Sequence, residues 1–255
     1  SARILQQVVD LFTAPYEERL ITRDRFMAEN VAWLLEQADP EAKIVIWAHN
    51  EHVNETPGSG TMGAHLQEQF GADVVSVGQL THRVRVIAID YAPQSAGLKR
   101  FTAVPAPPQT FDDALRSSGH PQFLLDLRNA AEDSPVADWL NSSQPQRSNG
   151  ALFSQTCPQA HFVSGVPAKR FDVLVYLEET SASRPQNAWA AYAGAPVTTE
   201  IDLSPTNLAF EEAGVCWLQR RDSVADYLVS YPADEGQDES GAIFIRARGA
   251  NKDDS

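Results

Sequence analysis

The run at residues 43–48 constrains the fold of this chain more than any other feature. Its sequence, KIVIWA, is short, rich in β-branched residues and almost continuously apolar. That pattern is typical of a central strand covered on both faces of a sheet. Helical periodicity precedes it, and a polar, glycine-rich loop at residues 50–61 follows it. A strand, a loop, a helix and a second strand in this order predict a βαβ unit.

Apolar periodicity predicts the other elements. A helix over residues 2–13 carries an apolar stripe at Ile4, Leu5, Val8 and Leu11. A second helix over residues 17–38 is expected to turn these side chains inward: Ile21, Phe26, Met27, Val31, Leu34 and Leu35. Further helices are predicted at 62–70 and 111–118, and strands at 73–77, 85–89, 123–127, 171–177, 225–230 and 241–246.

These elements predict an α/β fold: a mixed, largely parallel sheet flanked by helices, with a β-rich segment at the C-terminal end. We expect an α/β domain over residues 1–190 and a β-rich appendage over residues 196–255. The appendage holds too few strands to close a sandwich alone. It either begins a second domain or packs on the first.

Composition excludes several function classes. A net charge of −14 argues against nucleic acid and against an anionic membrane surface, since both recruit an excess of Lys and Arg. No run approaches the roughly 18 apolar residues of a membrane helix, and no signal-peptide pattern opens the chain, so a cytoplasmic location is expected. The two cysteines, Cys157 and Cys216, are expected to be buried as small apolar side chains.

The run His49-Asn50-Glu51-His52 is the strongest candidate for chemistry, because it lies where a buried strand opens into a polar loop. Ligands bind beyond the carboxyl ends of strands in open α/β sheets. On an unbroken strand the two histidines would point to opposite faces, so they converge only if the chain turns at Asn50 or becomes helical after Ala48. Two converging imidazoles could act as a general base and an electrophilic partner.

Other interpretations of the same residues stay open. The histidines could bind a metal, although zinc sites use three or four protein ligands and the spacing supplies two. They could also be structural. On the second helix, Arg25 and Asn30 either approach the crevice, or Arg25 pairs with Glu29 and Asn30 bonds to backbone. No Gly-x-Ser-x-Gly elbow and no nucleotide-binding glycine motif is present.

Several segments in order resemble the erythromycin esterase family, which includes proteins labelled as succinoglycan biosynthesis proteins. They are RDRFMAENV at 23–31, WAHNEHV at 47–53, Met62-Gly63 with Leu66, FLLDLR at 123–128, His161-Phe162, and Phe171-Asp172 running to Glu178-Glu179-Thr180. The resemblance covers about residues 15–184. The first two segments are its most specific parts.

The resemblance implies an α/β fold and hydrolysis of a carboxylic ester or macrolide lactone by activated water, with no metal and no cofactor. It implies that His49 and His52 line the active site. Asn50, Glu51, Arg25 and Asn30 are then candidates for binding substrate. The family's proposed general base belongs to an N-terminal Gly-Glu-x-Thr/Ser-His-Gly motif, which this chain does not contain. We therefore expect only part of a catalytic centre.

Residues 204–212, SPTNLAFEE, resemble the opening of a jelly-roll module of the kind that binds carbohydrate. The resemblance predicts a carbohydrate partner for the C-terminal segment, beside the small-molecule ester expected at the histidines.

Overall fold

A five-stranded sheet organises the part of the chain described by a computed structural model, which comprises residues 2–90, 98–154, 157–183, 200–202 and 240–246. The strands are β1 Lys43–His49, β2 Val74–Arg83, β3 Arg85–Asp90, β4 Leu98–Thr102, β5 Gln122–Asp126, β6 Gln144–Arg147, β7 Leu152–Phe153, β8 Phe162–Gly165, β9 Val173–Glu179, β10 Glu200–Asp202 and β11 Ser240–Arg246. The helices are α1 Ala2–Thr13, α2 Arg19–Glu36, α3 Asn50–Val53, α4 Met62–Phe70, α5 Phe111–Arg116, α6 Pro135–Leu140 and α7 Pro167–Arg170.

The sheet has the strand order β1-β11-β2-β9-β5. Strands β1, β2 and β9 run in one direction, and β11 and β5 run in the other. The predicted α/β class with a mixed sheet is confirmed. In the described sheet only β2 and β9 pair in parallel, because β11 lies between β1 and β2. Residues 240–246 pair with β1 and β2 in this sheet, while the division into an α/β domain and a β-rich appendage stays a prediction. The predicted strand at 225–230 lies outside the described residues.

One face of the sheet carries the main core. Alternate side chains of β2 and β9, among them Leu80, Leu174 and Tyr176, are buried on this face. Helices α2, α4 and α5 cover them with Val31, Leu35, Met62, Leu66, Phe111 and Leu115. The helices form because their apolar residues recur at helical spacing, and burying that stripe provides most of their stability.

The opposite face of the sheet is apolar and is left open by the described residues. Trp47 on β1 is 71% exposed and Leu124 on β5 is 72% exposed. Val75 and Val173 point to the same side and are only half-buried. Within the described residues β1 lies at the edge of this sheet, so for this part of the chain the prediction that residues 43–48 form a central strand covered on both faces is wrong. A continuous apolar run predicts a strand, but it does not reveal its position in the sheet.

Helix α1 forms as predicted, but it does not bury the predicted stripe. Leu5 is 70% exposed, and Ile4 and Val8 are also exposed. The buried residue of α1 is Gln7, whose Oε1 accepts a hydrogen bond from Asn30 Nδ2 at 3.1 Å. On α2, Ile21 and Leu34 are likewise exposed, while the other predicted inward residues are buried or half-buried.

A second sheet has the order β10-β4-β3-β7, and β6 pairs with β8. Its core is a smaller cluster around Phe101 and Phe153, whose rings stack with centroids 4.8 Å apart. Cys157 is buried as predicted and is disulfide-bonded, whereas the prediction for Cys216 lies outside the described residues. Within the described residues, no helix combines the length and the apolarity needed to cross a bilayer.

Gly63 of α4 lies against the main chain that ends α3, and this contact leaves no room for a side chain. A Cβ added there would lie 2.4 Å from the Val53 carbonyl oxygen and 2.6 Å from that of Asn54. These are backbone atoms, which cannot move away as a flexible side chain can. We expect Gly63→Ala to lower the free energy of unfolding by about 1–3 kcal/mol, as measured by urea denaturation.

Gly150→Ala is the matched control, because a Cβ at that position meets nothing within 4 Å. Equal stability of the two variants would show that α3 and α4 do not approach as closely as the structure indicates.

Candidate active site

The chain becomes helical immediately after β1, and the first residue of this junction is His49. Its extended backbone (φ −62°, ψ 149°) makes it the N-cap of α3, and its Nδ1 accepts a hydrogen bond from the Glu51 N–H at 3.2 Å. Its Nε2 lies 2.9 Å from the Asn149 carbonyl oxygen, to which it donates. These partners define a neutral ring protonated on Nε2. Of the two geometries that the sequence left open, the helical one is found.

Asn50 attaches the start of α3 to β2. Its Nδ2 donates to the Gln79 carbonyl oxygen at 2.6 Å, and its Oδ1 accepts from the Gln79 N–H at 3.0 Å. Strand β11 pairs with β2 only as far as Val77 in the described residues. The amide of Asn50 therefore satisfies the next main-chain groups of β2, as a neighbouring strand would do. The side chain is buried.

Glu51 bridges two other segments. Its Oε1 accepts a hydrogen bond from Ser148 Oγ at 3.0 Å and forms a salt bridge with Arg170. The Arg170 side chain is almost fully buried, whereas that of Glu51 is more than one-third exposed. The carboxylate therefore neutralises a buried guanidinium.

His52 is held by a carboxylate on the second helix. Its Nδ1 lies 2.9 Å and 3.0 Å from the two carboxylate oxygens of Asp24. Asp24 is buried, and its Oδ2 also accepts from the Met62 N–H at 2.9 Å, at the first turn of α4. A helix N-terminus stabilises a carboxylate. The Nδ1–H of His52 thus donates to Asp24, which leaves Nε2 as the acceptor.

The Nε2 of His52 meets the guanidinium of Arg23, one residue before Asp24 on α2. Arg23 is half-buried, and its Nε is buried without a hydrogen-bond partner. The result is a line of three groups: the Asp24 carboxylate, the His52 ring and the Arg23 guanidinium. The two histidines therefore differ: both ring nitrogens of His49 are bonded to main chain, whereas those of His52 contact side chains.

The structure does not bring Arg25 and Asn30 to this line. Arg25 lies on the exposed side of α2 and forms a salt bridge of 2.6 Å with Glu29, which is the structural alternative raised above. Asn30 bonds to the Gln7 side chain, not to backbone as that alternative had it. Substrate binding by Arg25 and Asn30 stays a prediction, as does that by Asn50 and Glu51.

Sequence reasoning missed Arg23 and Asp24, although a signal for Asp24 exists. Asp24 falls in register with the buried residues Ala28, Val31 and Leu35 of α2. A carboxylate inside an apolar helical stripe needs a partner within the core. The stripe therefore marks Asp24 as a bonded residue, whereas nothing in the local sequence identifies His52 as its partner.

Glu55, three residues after His52, is a second missed carboxyl group. It is buried and its Oε1 has no hydrogen-bond partner. Burial, with a smaller contribution from the Asp172 carboxylate, raises the pKa of Glu55 to about 8, against the opposing charge of Arg128. Asp24 and Glu55 thus differ in their surroundings. The Asp24 carboxylate accepts hydrogen bonds from two N–H donors, whereas the Glu55 carboxyl group is buried and its Oε1 has no donor.

No group of three or more His, Cys, Asp or Glu side chains in the described residues is arranged to hold a metal ion. A third ligand for a metal shared by His49 and His52 is therefore not found in that part of the chain.

An α/β protein with a carboxylate-held histidine at the end of an edge strand is the class that fold and site define. The sequence profile of the erythromycin esterase family matches residues 1–180, well over half of the chain. This chain therefore belongs to the erythromycin esterase family.

The chain is also similar to several known proteins, over part of their length. Erythromycin esterase type II of Escherichia coli is 33% identical over 63 residues, which are 22% of this chain and 15% of that protein. A Bacillus cereus protein of known structure has a TM-score of 0.57 and 23% identity, over 71% of this chain and 44% of its own. A succinoglycan biosynthesis protein has a TM-score of 0.57 and 18% identity over the same shares. The chain spans less than half the length of these solved relatives, and they show the fold alone.

Glu55 predicts a specific dependence of stability on pH. Between about pH 4.5, its ordinary pKa, and about 8, the folded chain keeps a proton at Glu55 that the unfolded chain has released. This contribution to stability therefore falls as the pH rises through that window. We expect Glu55→Gln to remove it, so that at about pH 8.5 the variant exceeds the parent by at least about 1 kcal/mol in unfolding free energy.

Urea unfolding of both proteins at about pH 5 and about pH 8.5 measures the difference. Glu36→Gln, on the exposed end of α2, serves as the control and should follow the parent at both values. A Glu55→Gln variant that loses stability relative to the parent at the higher pH would mean that Glu55 is ionised and paired.

Proposed function

We propose that this chain supplies part of the catalytic centre of a carboxylic-ester hydrolase, with His52 as its reacting ring. The bond between His52 Nδ1 and Asp24 carries the proposal. Family membership supports a hydrolase of the erythromycin esterase type. A macrolide lactone is the finer proposal for the substrate.

The Asp24–His52 pair has the geometry of an oriented base. Asp24 accepts a hydrogen bond from the Nδ1–H, so the lone pair lies on Nε2, on the other side of the ring. If Nε2 takes a proton from water, the imidazolium that forms lies against a buried carboxylate, which stabilises the new charge. The N–H of Met62 holds Asp24 in place during this change. In the present arrangement Nε2 faces Arg23, so a water or substrate carbonyl takes that place only when the guanidinium shifts.

His49 is proposed to hold the main chain that positions His52, rather than to react itself. Its two ring nitrogens are bonded to the Asn149 carbonyl and the Glu51 N–H. It could accept a proton only by losing its bond at the cap of α3. We therefore assign it the task of fixing the turn that presents His52, while its contact with substrate stays a prediction.

A Gly-Glu-x-Thr/Ser-His-Gly segment is proposed to complete the centre, since the family's proposed general base belongs to it and the segment is absent from this chain. His52 would then polarise or position the water that this second base activates. We expect this 255-residue chain to open no macrolactone by itself. Mass spectrometry of a 14-membered macrolide incubated with the chain should show no gain of one water above the level seen with His49→Ala.

His52→Asn and Asp24→Asn test the roles of the pair in a polypeptide that joins such a segment to this chain. His52→Asn removes the imidazole, and Asp24→Asn replaces the carboxylate that orients it with an amide of the same size, so we expect kcat for ester hydrolysis to fall about 10²–10⁴-fold in each case. Glu36→Gln, on the exposed end of the same helix, is the control and should retain the parent rate. Hydrolysis that survives His52→Asn at the parent rate would remove His52 from the mechanism.

Two rival functions are separated by simple measurements. A polysaccharide-associated binding protein without esterase activity is favoured by one relative, which is named for succinoglycan biosynthesis. Glycan binding that survives the double change of His49 and His52 to Ala would support it. Residues 204–212, from which a carbohydrate partner is predicted, lie outside the described residues. A metal-assisted hydrolase would show stoichiometric metal in protein purified without added zinc.

A further inference from the structure

Arg23 is a cation without an anion in the part of the chain that the structure describes. Two other arginines have carboxylate partners: Arg25 pairs with Glu29 on the exposed side of α2, and Arg170 pairs with Glu51. Arg23 forms no comparable ion pair with the described carboxylates, and its terminal nitrogen contacts the His52 Nε2 atom instead. Its Nε–H is buried and has no partner.

The carboxylates of Asp24 and Glu51 already have hydrogen-bond partners. Asp24 lies on the far side of the His52 ring, where its oxygens accept from Nδ1 of His52 and from the Met62 N–H. Glu51 accepts from Ser148 and neutralises Arg170. A buried donor without a partner is costly, and a guanidinium keeps its charge at every accessible pH. Both features indicate that an anion from outside the described residues binds at Arg23.

We propose that Arg23 binds a carboxylate group of the ligand beside His52. A guanidinium presents two adjacent N–H groups as a fork that matches the two oxygens of a carboxylate. The Nε–H of Arg23 is closed to solvent in the present arrangement, so a carboxylate reaches the fork after the same shift away from His52 that the proposed function requires. The choice of a carboxylate rests on the proposed function, because ester hydrolysis produces one.

This inference gives Arg23 a role that the sequence did not suggest. The pattern at residues 23–31 drew attention to Arg25 and Asn30, which the structure places elsewhere. Arg23 and Arg25 therefore form a matched pair: two arginines on one helix, one facing His52 without a counter-ion and one exposed with its own carboxylate.

Titration of the chain with sodium propionate tests the proposal, with chloride replaced so that ionic strength stays constant. The readouts are the NMR shifts of the Arg23 Nε–H and of the His52 ring nitrogens. We expect both to change and to saturate, with a Kd in the millimolar range, of order 1–10 mM. Arg23→Gln should weaken binding at least tenfold, and Arg116→Gln, which removes an exposed arginine of α5 paired with Asp113, should leave it unchanged. Arg23→Lys keeps the charge without the fork and should bind with intermediate strength.

Shifts that do not saturate, or that persist unchanged in a folded Arg23→Gln variant, would overturn the proposal. So would saturation by phosphate but not by propionate, because the site would then select another anion. If Arg23→Gln does not fold, the propionate affinity of Arg23→Lys is compared with that of the parent. Equal affinities would show that the carboxylate does not bind to the paired N–H donors of a guanidinium, which would overturn the proposal. The proposed function is tested by a different result, the absence of ester hydrolysis in the completed polypeptide. That result can occur even when propionate binds at Arg23.

Discussion

The pairing of the Asn50 amide with the main chain of Gln79 is the interaction on which the site depends. It replaces a strand neighbour with a side chain at the point where β11 no longer accompanies β2. With Asn50 fixed, the single helical turn α3 can project its other side chains in different directions. Glu51 then reaches Arg170, and His52 reaches α2. A four-residue helix cannot hold such an arrangement through its own hydrogen bonds, so its precision comes from these external bonds.

The two carboxyl groups near the site differ in their hydrogen-bond partners. Asp24 receives hydrogen bonds from a ring N–H and a main-chain N–H. Glu55 is enclosed with Asp172 nearby and one oxygen unbonded, and burial raises its pKa to about 8. Because only Asp24 accepts from a histidine ring, it is the carboxyl group that orients His52.

Much of the fold could be predicted from local pattern. The helices at Ala2–Thr13 and Met62–Phe70 and the strand after residue 42 follow from periodicity and composition, because these depend on neighbours in sequence. The faces could not be predicted in the same way. Whether Trp47 or Leu5 is covered depends on which segment packs against it, and apolar spacing is the same in both cases. The site shows a similar division: His49 and His52 could be located, whereas their partners Asn149 and Asp24 are joined to them only by the folded chain.

The position of β11 has a consequence for the order in which the sheet can form. Its residues occupy the gap between β1 and β2, yet almost two hundred residues separate β1 from β11 along the chain. Until β11 arrives, neither β1 nor the facing edge of β2 has its final neighbour, and both present unpaired N–H and C=O groups. On the ribosome these edges emerge long before their partner does. Contacts of such sequence separation form slowly, so the nascent chain passes through a stage with an open slot in its sheet, where another strand could bind.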